Sequence, residues 1–421
     1  MKRTRFLASG AAAGAALAAP RFTLAAGPVT VKIGFLESFS GVFSDIGTVH
    51  KTAAQLALDD VNRATGGRVR FEFVFADDSS KPAVATTEAR RLIEKEGVDV
   101  LMGGTSSATG AAVSAVSLEL GTFNLLIGPQ DSSLTASKAT KTTYRFGPNV
   151  RMMLPPMLHR TLALGKRWYF IQSDYAFGKD AYAQCSDALK RAGGTEVGHD
   201  VVPLGTSDFS SVLTKLGSSG ADVLVLCNSG LDAANTVKQW VQFGLNKKMK
   251  LAGISMEDIY YKALPLDDIV GATFPVLWSP YASDAARKLH ARMSRDVKGP
   301  VGGRHYLGYM SAWSLMQKIL ATRSTDAEKL ITAFENYTFP AAKESKSTYH
   351  GFDHQCAQDV YAGSIVPQKK FEKQQFMWDI VGEVPASESD GNAESPWAKQ
   401  AQAVLATEKL GARSGYTAKT W

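Results

Sequence analysis

The chain has 421 residues, 45% of them hydrophobic and 21% charged, with a formal net charge of +7. That length exceeds one ordinary domain, and that composition excludes a disordered or collagen-like protein. Lys2, Arg3, Arg5 and Arg21 fall in the first 26 residues with no acid among them; the remainder carries only +3, and nucleic-acid binding loses its electrostatic basis.

The N-terminus has the three parts of an export signal over residues 1–26. "MKRTRF" is basic, "LASGAAAGAALAA" is apolar and small, and "TLAAG" offers cleavage after Ala25 or Ala26. Thr4 separates Arg3 from Arg5, so a twin-arginine signal is not matched, and no Cys stands at the cleavage point to carry lipid. Beyond the signal no run reaches the roughly 18 apolar residues of a membrane span, so the mature chain is expected to be soluble. Cys185, Cys227 and Cys356 are too few for a disulfide framework and fit no zinc spacing; one bridged pair and three buried thiols both stay open.

From Val29 short β-rich runs alternate with helical ones. "VTVKIGFLE" leads through "SFSGVFSDIG" into a helix predicted from Thr48, with Val49, Ala53, Leu56, Val61 and Ala64 near helical spacing and Gly66-Gly67 behind it. "RVRFEFVFADD", a helix opened by Pro82, "VDVLMGG", the helix "ATGAAVSAVSLELG" and "FNLLIGP" follow. A second series starts near Arg151, with strands at "KRWYFIQ", "TEVGHDVVPL", "ADVLVLCN" and "MKLAGI" and helices between them. Three helical stretches fill about 284–337, strands return at "DVYAGSIV" and "QFMWDIV", and a polar tail with one short helix runs from 386 to 421. The fold class is α/β, with parallel sheets covered by helices on both faces.

In such sheets ligands sit beyond the carboxyl ends of the strands. The loops there, "ESFSGVFSDIG", "GGTSSATG" and "GPQDSSLT", are small and hydroxyl-rich, and two lead toward a helix. Unpaired N–H groups at a helix start, with hydroxyls beside them and no Lys to balance several phosphates, match a single carboxylate. The same serines also serve as ordinary caps and turn formers. No H-E-x-x-H, G-x-S-x-G or Walker pattern occurs, so neither an enzyme nor a cofactor is expected. His350 and His354 stand four apart, but Gly351 and the turn-like "HGFDHQ" argue for loop capping over a metal. In "MEDIYY", Glu257 and Asp258 follow a strand end and could receive a ligand ammonium group.

The ordered set "KIGFLESFSGVFSDIG", "ADDSSKPAVATTEARRLI", "SDYAFGKD" and "SDFSSVLTKLGSSGADVLVL" resembles the substrate-binding proteins of branched-chain amino-acid-type ABC transporters, the leucine-binding-protein-like type I periplasmic binding proteins. The resemblance implies two doubly wound parallel-sheet lobes joined by three crossovers, with a ligand cleft between them. By this reading lobe 1 comprises 28–148 plus 283–348, and lobe 2 comprises 149–282 plus 349–385. It further implies a carboxylate clamp at Ser107, Gln130 and Ser132. Ile46 lines the pocket, Phe177 packs on the ligand, and Ser229 and Ser255 are further cleft positions. The family's ammonium-binding acid falls on Ser255 here, so Glu257 or Asp258 would have to supply the charge. The implied partners are a small carboxylate ligand and the permease subunits, with the receptor a monomer in the periplasm. An aliphatic amino acid, an aromatic carboxylate and a small amide stay open as ligands, as does a sensory role.

Overall fold

A computed structural model describes residues 28–389 and 391–421; the expected export signal at 1–26 lies outside them. The first lobe opens with β1 (Val29–Glu37) and α1 (Ser44–Ala64). The helix buries Ile46, His50, Ala53, Ala57 and Val61, one stripe at three-to-four spacing. It starts four residues before Thr48, because the turn "SDIG" is already helical. Next come β2 (Val69–Asp77), α2 (Pro82–Glu94), β3 (Val100–Gly103), α3 (Ser107–Glu119), β4 (Asn124–Leu126) and β5 (Thr143–Arg145). The sheet order is β2-β1-β3-β4-β5, every pairing parallel. Strands β3, β4 and β5 are buried on both faces, which is why β3 and β4 read as short apolar runs without alternation; β5, Thr-Tyr-Arg, carries no such signal and was not foreseen.

The second lobe begins with α4 (Val150–Leu164), a helix that sequence patterning does not announce because it contains Pro155 and Pro156. Met152, Met153, Pro156 and Met157 are buried along it, and that burial compensates for the missing donors. Then follow β6 (Arg167–Ser173), α5 (Ala176–Arg191), β7 (Thr195–Val202), α6 (Ser210–Ser218), β8 (Val223–Cys227), α7 (Gly230–Gln242), β9 (Lys250–Gly253) and β10 (Thr273–Val276).

The chain returns to the first lobe through α8 (Asp284–Met293), α9 (Gly303–Thr322) and α10 (Ala327–Phe334). There Arg292 and Tyr309 both bond Asp60 of α1. The strands β11 (Tyr337–Pro340), β12 (Lys346–Tyr349) and β13 (Cys356–Ala357) form a small antiparallel sheet that the sequence reading did not foresee. Tyr349 packs on Tyr144, Phe146 and Phe334, and His354 stacks on Tyr144. Tyr349 and His354 therefore pack against rings of the first lobe.

Only then does β14 (Val360–Ile365) join the second sheet, antiparallel to β10, followed by α11 (Gln368–Gln374) and β15 (Trp378–Val384). The order there is β15-β14-β10-β9-β8-β6-β7, parallel except for the two late strands. Three segments thus cross between lobes: β5 to α4, β10 to α8 and β13 to β14. The tail holds α12 (Pro396–Thr407) and then straps the first lobe, where Lys419 Nζ pairs with Asp99 Oδ2 at 2.6 Å and Arg413 donates to the Val98 carbonyl at 2.6 Å. No helix among the described residues is long and apolar enough to cross a membrane.

Candidate functional site

The lobes set the carboxyl ends of their strands against each other, and a small, nearly filled pocket with a free volume of about 10 Å³ lies between them. From the first lobe Phe43, Ile46, Thr105, Ser107, Gly128, Gln130 and Arg304 line it; from the second come Tyr175, Phe177 and Ser229. These positions share a structural address. Phe43 and Ile46 begin α1, Ser107 begins α3, Tyr175 and Phe177 begin α5, Ser229 precedes α7, and Arg304 is the second residue of α9. Helices α1, α3, α5 and α7 all start without a side-chain cap. Five helix N-termini, each with partial positive charge, therefore converge on one pocket, and no acid lines it among the described residues.

The cleft is shut by polar contacts across the lobes. Arg304 forks onto Glu257, with Nε donating to Oε2 at 2.7 Å and Nη2 to Oε1. Both side chains are almost wholly buried, and Ser255 Oγ donates to Glu257 Oε1 at 2.9 Å. Burial raises the Glu257 carboxyl, but the Arg304 charge and hydrogen bonds outweigh it and hold the group below the usual range. The next acid, Asp258, accepts from the Gly303 N–H at 2.9 Å, and burial pushes its carboxyl up to about 6. At the other end of the cleft the Ser132 N–H donates to Asp180 Oδ2 at 2.8 Å and Gln184 donates to Ser132 Oγ at 3.0 Å. Burial likewise raises Asp180.

Behind the pocket a buried set fixes the first-lobe groups. Thr105 Oγ1 donates to Glu37 Oε2 at 2.7 Å, and His50 Nδ1 meets Glu37 Oε1 at 2.8 Å. Arg145 donates to the Asp131 carbonyl at 2.5 Å and pins the turn that carries Gln130 and Ser132. Gly128 gives Arg304 and His50 room to approach, since a Cβ there would lie 2.7 Å from Arg304 Nη1 and 2.9 Å from His50 Cε1.

Of the positions named from the sequence, Ser107, Gln130, Ile46, Phe177 and Ser229 border the pocket. Ser132, Ser255 and Glu257 do not; they sit in the contacts that close the cleft. Neither Glu257 nor Asp258 is open to an ammonium group, because Arg304 holds the first and the α9 backbone the second. Phe43, Thr105, Gly128, Tyr175 and Arg304 were missed. Phe43 and Tyr175 lay inside loops already singled out, and Arg304 follows the Gly302-Gly303 pair that opens α9. His354 is a core residue: its Nδ1 lies 3.1 Å from the Thr143 carbonyl, and burial pulls its pKa down to about 4.

With this geometry in hand, comparison with known proteins gives one answer. The profile of the family described as periplasmic binding protein matches residues 30–370. A Leu/Ile/Val-binding protein homolog of Brucella suis is 27% identical over 361 residues, covering 81% of this chain and 88% of that protein. The crystal structure of a periplasmic binding protein from Burkholderia mallei superposes with a TM-score of 0.81 at 28% identity, covering 88% of this chain and 98% of that one. At 20% identity, a Rhodopseudomonas palustris ABC-transporter solute-binding protein solved with 4-hydroxybenzoate shares the fold, with a TM-score of 0.77 and coverage of 87% and 100%.

Proposed function

Since the chain belongs to the periplasmic binding protein family, we propose that it is an extracytoplasmic solute receptor for a small aromatic carboxylate without an amino group. One observation carries the ligand class: uncapped helix N-termini and Arg304 converge on a pocket whose nearest acid is already neutralised. A carboxylate finds N–H groups and the Ser107 hydroxyl there, beside an Arg304 already engaged by Glu257. An ammonium group finds no free anion, and burying it unpaired costs several kcal/mol. Phe43, Tyr175 and Phe177 supply aromatic faces for a flat apolar body, with ring centroids of Phe43 and Tyr175 5.9 Å apart across the cleft. The likeness to a hydroxybenzoate-bound solute-binding protein agrees with this reading.

The receptor acts by closure. A ligand shifts an open–closed equilibrium only through tighter contact with the closed form, and this pocket draws its lining from both lobes. The closed monomer then presents its ligand to an ABC permease, without metal or cofactor. A second reading is that it serves branched-chain amino acids, as the name of the Brucella relative has it. That reading requires a ligand ammonium to take Glu257 from Arg304.

A thermal-shift panel on the mature protein separates the two readings. Benzoate and 4-hydroxybenzoate at about a hundred times their Kd are expected to stabilise it by roughly 2.7 kcal/mol, and leucine, isoleucine and valine to leave it unchanged. Stabilisation by the amino acids alone would overturn the proposed ligand class.

A further inference from the structure

β15 ends in the second sheet at Val384, yet the tail beyond it finishes on the first lobe, where Lys419 meets Asp99. The tail thus makes a fourth passage between the lobes, and α12 stands on its first-lobe side. Ser395 caps that helix by accepting from the Ala398 N–H at 3.2 Å, and Pro396 opens it at a position that needs no backbone donor. Ala398 and Ala401, three apart on one face, are buried, and the helix packs on the first-lobe turn Ser132–Thr135. At its far end Glu408 accepts from the Lys141 N–H of the first lobe at 2.6 Å. One ring of this helix meets the other lobe. The guanidinium of Arg151 lies over Trp397, 5.1 Å from the ring centre. Arg151 is the second residue of α4, a helix that packs on β10 and β14 of the second sheet. Its side chain is almost fully buried and stands 3.9 Å from the carboxylate of Asp353. Asp353 precedes His354, whose ring stacks on Tyr144 of the first lobe. A cation of the second lobe is therefore held between a carboxylate packed on the first lobe and a ring that the tail carries.

We propose that Arg151, Asp353 and Trp397 form a latch outside the ligand pocket that holds the cleft shut, with the C-terminal tail as one of its arms. Opening carries α4 away with the second lobe, while Trp397 stays with α12 and Asp353 with the first-lobe rings. Both contacts of the guanidinium are then made in the closed form and lost in the open one. Contact made in one state alone is what moves the balance between two states. The latch also touches the site it serves. The Arg151 N–H donates to Ser132 Oγ at 3.4 Å, and Ser132 stands in the turn that α12 covers. Such a latch needs a receptor that closes, as proposed above, and no particular ligand.

Amide hydrogen exchange of the ligand-free mature protein tests this. The Ser132 and Gly303 N–H groups bond to Asp180 and Asp258 across the cleft, so they exchange when it opens. W397A is expected to speed both about 2–5-fold, the worth of an exposed cation–ring contact, and R151M to speed them further. W397F keeps a ring under the guanidinium and is expected to exchange nearly as the wild type does, and the amides of β3 and β8 to keep their rates in every variant. Trp397 is 38% exposed, so W397A leaves the core intact even if R151M fails to fold. Cleft amides as slow in W397A as in the wild type overturn the latch and leave closure standing. Equal acceleration at the cleft and in β3 and β8 marks a general loss of stability and overturns it as well. Cleft amides that exchange freely in the wild type overturn closure itself, and the latch with it.

Discussion

The first strand–helix turn of each lobe faces the same packing problem, and the two turns are best read side by side. A Cβ on Gly47 would stand 2.1 Å from the Ser38 carbonyl oxygen, and a Cβ on Gly178 would stand 2.1 Å from the Ser173 carbonyl oxygen. In both lobes the first turn of the helix lies directly on the end of the strand, an approach only glycine permits. The loops around that contact differ. In the first lobe the turn is stitched to β2 by side chains: Ser38 Oγ donates to Asp78 at 2.6 Å, Ser40 Oγ to Asp77 at 2.6 Å, and the Phe39 N–H to Asp77 at 2.9 Å. In the second lobe the turn is shorter, and its ties are the Asp174 N–H to the Val202 carbonyl at 2.7 Å and Ser173 Oγ to Asp232 at 3.0 Å. The first lobe thus offers its groups from a fixed loop, whereas the rings of Tyr175 and Phe177 travel with α5 as one body. We expect the first side of the cleft to act as an anchor and the second as a lid.

The sharpest way to break this division is at the junction of the two halves. R304M leaves Glu257 buried without its cation in the closed cleft, a loss of about 3–5 kcal/mol and so a drop of a hundredfold or more in affinity for 4-hydroxybenzoate. Isothermal titration reads the loss, and the double variant E257Q/R304M is expected to recover part of it by removing the stranded charge. Unchanged affinity in R304M would remove Arg304 from both closure and binding.

A smaller effect compares the turns themselves. G47A and G178A each force a methyl group into a carbonyl oxygen, and each is expected to cost about 1–3 kcal/mol in thermal stability. The stitched loop of the first lobe cannot yield, so G47A should also weaken ligand binding more than G178A does. Equal binding losses would deny the distinction between anchor and lid.

The smallest expected effect is one of pH. The Asp258 carboxyl lies at about 6 in the folded chain against an ordinary 3.8, so folding takes up a proton between these values. Its stabilising contribution is complete below about 4 and is lost as pH rises through 6. Between pH 7.5 and pH 5.0 the wild type should gain about one or two degrees more in melting midpoint than D258N, whose amide oxygen still accepts from Gly303. Glu383, raised by burial to about 7, and Lys343, lowered by burial to about 7, titrate in the same window in both proteins and cancel in the comparison. Equal slopes would show that Asp258 is not the group responsible.

What the sequence disclosed was what local chemistry controls. The strand–helix alternation is visible because β3, β4 and β8 are apolar runs and α1 and α2 have one buried stripe each. The loops with Ser107, Gln130 and Phe177 are visible because helix starts and glycine turns carry their own signals. What stayed hidden depends on contact between distant segments. Glu257 reads as an acid at a strand end; that Arg304 holds it is settled only when the lobes meet. Pro155 and Pro156 mask α4, whose stability comes from burial against the second sheet. The strands β11 to β13 are too short for their alternation to be told from loop.

The threefold crossing of the chain also fixes the order in which its parts can be completed. From α4 to β10 the second lobe is nearly continuous, so most of its sheet can assemble from neighbouring segments as they emerge from the ribosome. The first lobe has no such freedom. Tyr309 reaches Asp60 across 249 positions, and Lys419 reaches Asp99 across 320. Until α9 has been synthesised α1 exposes the apolar face it will cover, and until the terminal strap follows Asp99 lacks its lysine. The lobe begun first is finished last, and the half-built lobe is the stage at which this chain is most open to aggregation or to capture by a chaperone.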